Sequence, residues 1–242
     1  MNITTLYEDE DFLVIDKPAG IVVNKSITTT NLQTVQEWAE KKLDISGNKQ
    51  ADISDFYNRG GIVHRLDKET SGILIIAKNV KAFDAIQKQF KDRFVKKTYI
   101  ALAHGKITPE TGEINVPVGR LPWSRKQFGI FPGGRESKTL YKVLMFFLDK
   151  TTKEQLTLVE LHPQSGRTHQ IRVHLKYIGH PIFSDFLYAG RKTARRDRKV
   201  LERVFLHASN ISFMHPVTGK EVSFESPLPK ELKEFLQTLT KA

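Results

Sequence analysis

The sequence predicts an α+β fold with a mixed, mostly antiparallel central sheet flanked by helices and loops. Strand-like segments outnumber helical ones and do not alternate with them regularly, which argues against a doubly wound parallel sheet. Residues Gly72–Lys78 (GILIIAK) form a continuous β-branched run, as expected of a strand buried on both faces. Two further pairs of strand-like segments are joined by short polar turns, the pattern of hairpins.

In chain order, Leu6–Pro18 reads as two short strands around an acidic turn, with Pro18 ending the pairing. Residues Thr34–Leu43 place apolar side chains at 35, 38, 39 and 43, the helical period. Lys41 to Arg59 has little periodicity and reads as a loop. After the strand at Gly72–Lys78, Val80–Arg93 is a helix with Val80, Phe83, Ile86 and Phe90 on one stripe. Lys97–His104 and Ile114–Val118 are strands, and Gly119–Lys138, rich in Gly, Pro, Arg and Lys, reads as a long, mobile, basic loop. Thr139–Leu148 and Gln155–His162 form a hairpin. Arg167–Ile178 is a helix with Ile171, Leu175 and Ile178 on its core side and Gly179 as its C-terminal cap. A basic run, Arg191–Lys199, follows. Val204–Phe213 and Glu221–Phe224 pair around Pro216–Lys220, and Pro229–Leu239 closes the chain as a helix. No internal repeat or linker divides the sequence, so residues 1–242 are expected to form one domain.

The chain has 242 residues, and its 38 Lys+Arg against 27 Asp+Glu give a net charge of +11. That excess suggests a polyanionic partner. The absence of cysteine removes thiol nucleophiles, thiolate zinc sites and iron–sulfur clusters, and fits a reducing compartment. The longest apolar runs, Ile73–Ala77 and Val143–Leu148, are far short of the roughly 20 residues of a spanning helix. The amino terminus is acidic and lacks basic residues, unlike a secretory or mitochondrial leader. A cytoplasmic protein that meets nucleic acid and no membrane is the expectation.

Two polar clusters abut buried elements. Gly60–Gly72 (GGIVHRLDKETSG) leads straight into the buried strand, which puts His64, Arg65 and Asp67 in a loop near the sheet, a common address for functional groups. In Leu161–His174 (LHPQSGRTHQIRVH), Gly166 turns the backbone before Arg167, His169, Arg172 and His174. Arg172 lies beside the apolar stripe Ile171–Leu175, so its stem can be buried with the guanidinium aimed inward. An inward arginine needs a carboxylate, and Asp67 is the candidate. The eight histidines are scattered, without the i, i+4 pair of a zinc helix, and no nucleotide-binding glycine loop occurs. No metal and no cofactor is expected.

The string Gly61–Gly72 (GIVHRLDKETSG) resembles the HRLDxxTSG signature of the RluA-type pseudouridine synthases. Gly166–His174 (GRTHQIRVH) with Gly179–Asp185 (GHPIFSD) resembles that family's second signature. Phe12–Gly20 (FLVIDKPAG) resembles the motif that opens its catalytic domain, and Lys97–Gly105 (KTYIALAHG) resembles its tyrosine strand. The resemblance runs from about Leu6 to about Pro227.

It implies a pseudouridine-synthase-like catalytic domain that isomerises selected uridines of structured RNA, ribosomal or transfer, without metal or cofactor. Asp67 would be the essential aspartate and Tyr99 a wall of the pocket that assists proton removal from C5. Arg172 would pair with the aspartate, with Arg167 as its alternative. Arg65 would fill the gap left in the RNA when the target base is flipped out, and His64, Leu161 and Ile171 would belong to the substrate site. Arg125 and Lys126 in the basic loop, with Arg195, Arg196 and Arg198, are candidates for phosphate contacts. The catalytic motifs begin within the first ~20 residues, so no separate amino-terminal RNA-binding module is expected; a monomer is the expected state.

Two other readings are weighed. An RNA-binding factor with vestigial catalysis conflicts with the intact Asp67, Tyr99 and Arg172 set. A glycosidase using Asp67 and Glu69 would leave little room for a sugar between adjacent turn positions.

Overall fold

The computed structural model describes residues 3–26, 32–45, 55–124 and 127–242. The chain divides into two compact units, Met1–Lys96 with Ala208–Ser226, and Lys97–His207 with Pro227–Ala242. Both are built on antiparallel ladders with helices packed alongside, in keeping with the α+β expectation.

In the first unit, β1 (Thr4–Glu8) pairs with β2 (Phe12–Lys17), and β2 pairs with β3 (Ser71–Ala77). The strand β10 (Leu206–Met214) lies beside β3 and pairs with β11 (Glu221–Glu225). Every residue of β3 is buried, as a β-branched run without alternation requires. Helix α1 (Val35–Lys42) starts where Thr34 accepts from the Glu37 amide while Glu37 accepts from the Thr34 amide, a reciprocal capping box. Helix α3 (Val80–Lys91) is capped by Asn79 and sends Phe83 and Ile86 into a core with Phe12, Ile73, Ile75 and Phe213.

In the second unit, β4 (Lys96–His104), β9 (Gln155–Pro163), β8 (Lys138–Leu148) and β12 (Thr240–Lys241) follow one another across the sheet. The short strand β5 (Thr111–Asn115) also pairs with β8. Helices α4 (Gln170–Tyr177), α5 (Arg191–Asp197) and α6 (Lys230–Thr238) complete it. Its core joins Ala101, Leu161, Ile171, Leu175, Phe183, Phe205 and Phe235.

Several elements depart from the sequence reading. Lys41–Arg59 is not all loop, because α1 runs to Lys42 and a short helix α2 spans Asp55–Asn58. Val80 sits at the exposed first turn of α3, outside the buried stripe. The strand expected at Ile114–Val118 is two elements, β5 ending at Asn115 and β6 (Val118–Arg120) starting after Pro117, which cannot donate to a ladder. The stretch expected to be a long loop contains a hairpin, since β7 (Phe128–Ile130) pairs with β6. Helix α4 begins at Gln170 rather than Arg167, because His169 adopts φ 57°; a left-handed residue cannot continue a right-handed helix. Conversely, the basic run of Arg191 is helical.

Candidate active site

The aspartate loop belongs to the first unit. Gly61, at φ 74°, turns the chain so that its carbonyl accepts from Ala77 N and Ile62 bridges to Ile76. The loop thus runs back along the strand it is about to enter. His64 Nε2 accepts from Ile75 N at 3.0 Å, and its ring stacks on Phe90 with centroids 4.8 Å apart. This ring anchors the loop to β3. Leu66 is buried, Asp67 is half-buried and Arg65 is exposed. The Asp67 carbonyl accepts from Thr70 N at 3.1 Å, which closes a tight turn directly after the carboxylate-bearing residue.

A fully buried lysine supports this turn from β2. Lys17 Nζ donates to the carbonyls of Pro18 (2.9 Å), Ile21 (3.0 Å) and Lys68 (3.2 Å), and Gly20 N also donates to Lys68 O at 2.8 Å. A buried ammonium requires such partners. Lys17 is not among the residues the motifs single out, although it is a charged residue closing a mostly apolar strand immediately before Pro18.

The second signature folds in the other unit. Tyr99 on β4 lies directly opposite Leu161 on β9. Leu161 is fully buried, Ile171 nearly so, and Tyr99 packs against the same core. The structure therefore brings these three predicted site residues together at one hydrophobic core. Lys97, two residues earlier on the Tyr99 face of the strand, sends Nζ towards Ser165 O at 3.3 Å. Burial lowers its pKa to about 8, since desolvation disfavours the charged form.

Arg172 is buried on α4, as the sequence led us to expect, and within its own unit it holds a carboxylate that the sequence reading did not consider. Its Nε donates to Asp185 Oδ2 at 2.7 Å and its Nη2 to Asp185 Oδ1 at 2.9 Å. Asp185 is fully buried. This is the fork-to-fork geometry that gives arginine–carboxylate pairs their orientation. Arg167 lies before the helix, half-buried, with Nε donating to Glu136 O at 3.2 Å. Because α4 starts at Gln170, Thr168 and His169 do not share a helical face with Arg172. His169 Nδ1 instead meets the Tyr188 hydroxyl at 2.8 Å.

The phosphate candidates separate. Arg125 and Lys126 lie outside the described residues. Arg195 is exposed on α5. Arg196 pairs with Glu154 and reaches Asp197 Oδ1 at 3.3 Å. Arg198 donates to Ser184 O and Glu202 O. Among the described residues, Asp9, Asp11 and His215 bring one ligand atom each within 4.8 Å of one another. Their atoms already serve the protein: His215 Nε2 meets Asp9 Oδ2 at 3.0 Å, Asp9 Oδ1 accepts from two backbone amides, and Asp11 Oδ1 accepts from Asn79.

No helix among the described residues is long and apolar enough to cross a membrane. Residues 11–177 match the RNA pseudouridylate synthase family. An uncharacterized RNA pseudouridine synthase of Bacillus subtilis (strain 168) is 38% identical over 241 residues, covering 100% of this chain and 74% of that protein. The ribosomal large subunit pseudouridine synthase D of Nitrosomonas europaea is 37% identical over 238 residues, covering 97% of this chain and 64% of that protein. Among solved structures, human RNA pseudouridylate synthase domain containing 1 superposes with a TM-score of 0.75 at 27% identity, covering 100% of this chain and 89% of that one. The chain therefore belongs to the RNA pseudouridylate synthase family, isomerases that convert uridine in RNA to pseudouridine.

Proposed function

We propose that Asp67 is the aspartate on which this isomerisation turns, and that residues 1–242 work as one catalytic domain. The observation that carries the reading is the Asp67 turn, pinned on one side by the Lys17 ammonium and on the other by His64 against β3. A half-buried aspartate on a turn held so firmly is suited to meet the ribose of an incoming nucleotide. It can attack C1′ or remove the 2′ proton to give a glycal, and both routes use the ionised form. Arg172, as a guanidinium, stays protonated when buried and serves turnover as a fixed positive charge.

A stacked uracil must leave its helix to reach such a group, at a cost on the order of a few kcal/mol. Arg65, exposed on the same loop, fills the vacancy in the RNA. Tyr99 forms the pocket wall with Leu161 and Ile171 and assists removal of the C5 proton. His64 supports the loop that carries the aspartate, Arg167 binds substrate, and the basic residues Arg125, Lys126 and Arg195 meet the RNA backbone, with Arg196 and Arg198 holding neighbouring chain. The enzyme acts as a cytoplasmic monomer and requires neither metal nor cofactor. The substrate is structured RNA, and large-subunit ribosomal RNA is favoured over transfer RNA by the similarity to the Nitrosomonas ribosomal large subunit pseudouridine synthase D.

The test is tritium release from RNA labelled at C5 of uridine, followed by pseudouridine mapping across ribosomal and transfer RNA in cells with and without the gene. Release together with loss of a discrete ribosomal site supports the reading. Free uracil as product would indicate a hydrolase, and RNA binding without release would indicate a binding factor.

A further inference from the structure

Arg172 does not set its own orientation. Asp185 grips Nε and Nη2 at 2.7 and 2.9 Å, and Asp185 is itself fixed, since its Oδ1 accepts from Leu187 N at 3.0 Å and Tyr188 N at 3.2 Å. The preceding residue, Ser184, is fully buried and held at φ 62°. Its amide donates to Asp197 Oδ2 and its hydroxyl to Leu201 O. A non-glycine residue keeps such a backbone only where its surroundings over-determine it. The turn that aims Asp185 at α4 is therefore built for that direction.

The guanidinium is held from a second side. Its Cζ lies 5.0 Å from the centre of the Tyr188 ring, within the range of a cation–π contact. The Tyr188 hydroxyl accepts from Phe128 N at 3.1 Å and meets His169 Nδ1 at 2.8 Å. The Lys176 ammonium lies 5.7 Å from the same ring. Among the described contacts, the charged and titratable groups around this assembly include Asp185, His169 and Lys176, with Asp197 and Arg198 on the Ser184 backbone.

We propose that Asp185 and Tyr188 are positioning residues for the isomerisation, which hold Arg172 in a single orientation. The inference rests on the reading that Arg172 serves turnover. A buried pair kept only for stability could be replaced by apolar side chains at little cost. Here the carboxylate, the ring face and the hydroxyl all constrain one planar group, which a requirement for orientation explains.

The test compares pH profiles of kcat/KM for the wild type with those of Arg172→Lys, Asp185→Asn and Tyr188→Phe, alongside RNA Kd. The expected result for Asp185→Asn is a fall in kcat of about 30-fold, an RNA Kd within about twofold, and an acid limb moved to higher pH. Loss of the Asp185 negative charge alone would move that limb to lower pH, so an upward shift reports position. Tyr188→Phe keeps the ring and all charges, and is expected to move the limb the same way with about a fivefold loss of kcat. The folded fraction of each variant is followed by circular dichroism across the same pH range and divided out, because acid unfolding would also raise a limb, and Tyr188→Phe decides the matter if Asp185→Asn fails to fold. Unmoved limbs in both variants, with Arg172→Lys shifted, overturn this inference alone. Wild-type turnover by Asp67→Asn overturns the reading beneath it.

Discussion

The ammonium of Lys17 lies 3.2 Å from the backbone carbonyl of Lys68, the residue that follows Asp67. A charge at the end of one strand thus supports the turn that presents the aspartate. Lys17→Met preserves the shape of the stem and removes the donor, so the Pro18 and Ile21 carbonyls lose this partner. Unmet buried acceptors cost about 1–3 kcal/mol. Chemical denaturation is expected to show a stability loss of that size, and turnover at a permissive temperature is expected to fall about tenfold. Unchanged turnover would remove Lys17 from the support of the site.

Gly72, the second residue of β3, adopts φ 112°, and a Cβ placed there would lie 2.2 Å from the Ala208 carbonyl oxygen. Only glycine fits, both for its backbone angle and for the approach of β10. Gly72→Ala is expected to destabilise by about 3 kcal/mol or more, seen as a lowered Tm or as insoluble protein. A Tm equal to that of the wild type would contradict the packing described.

Two buried histidines give stability opposite slopes on either side of pH 6.5. Burial pushes His174 down to about 4 from its ordinary 6.5, against a weaker opposing bond from the Val116 carbonyl. The unfolded chain therefore binds the extra proton first, and stability is lost as pH falls from 6.5 towards 4. For His104, burial opposes the charged form, but the bonds and charges of Asp197 and Glu154 outweigh it and raise its pKa. Its contribution is fully present below 6.5 and is lost as pH rises through the raised value. Urea titrations from pH 4 to 8 are expected to show a maximum near 6.5. Replacing His104 by Gln should flatten the alkaline side only.

The basic helix α5 separates contacts with RNA from contacts within the protein. Arg195 is exposed, whereas Arg196 and Arg198 hold neighbouring chain. Arg195→Gln is expected to reduce the slope of log K against log salt by about 0.7–0.9 and leave Tm unchanged. Arg196→Gln should lower Tm as well. An unaltered slope for both variants would take α5 out of the RNA interface.

The legible parts of the sequence were those written in local chemistry. The buried strand β3, the hairpins, and helices α1 and α3 followed from apolar runs, periodicity and turn residues. Asp67, Tyr99 and Arg172 were singled out by motif, and the register that sets Tyr99 opposite Leu161 is known only from the structure. What escaped depends on tertiary partners. The β6–β7 hairpin is three residues a side, too short to show alternation amid Gly and Pro. The left-handed His169 that delays α4 has no signature in its residue type. Asp185 and Lys17 were visible as residues, but their roles depend on which buried charge or carbonyl each meets, and that is set by the fold.

The central claim is that Asp67 performs the chemistry and is not needed to bind RNA. The direct measurement is pseudouridine formed per RNA molecule under single-turnover conditions by Asp67→Asn, with Kd and Tm determined on the same preparation. The account predicts no product above background, with Kd within about twofold of the wild type and an unchanged Tm. Product formed at a rate comparable to the wild type would contradict it.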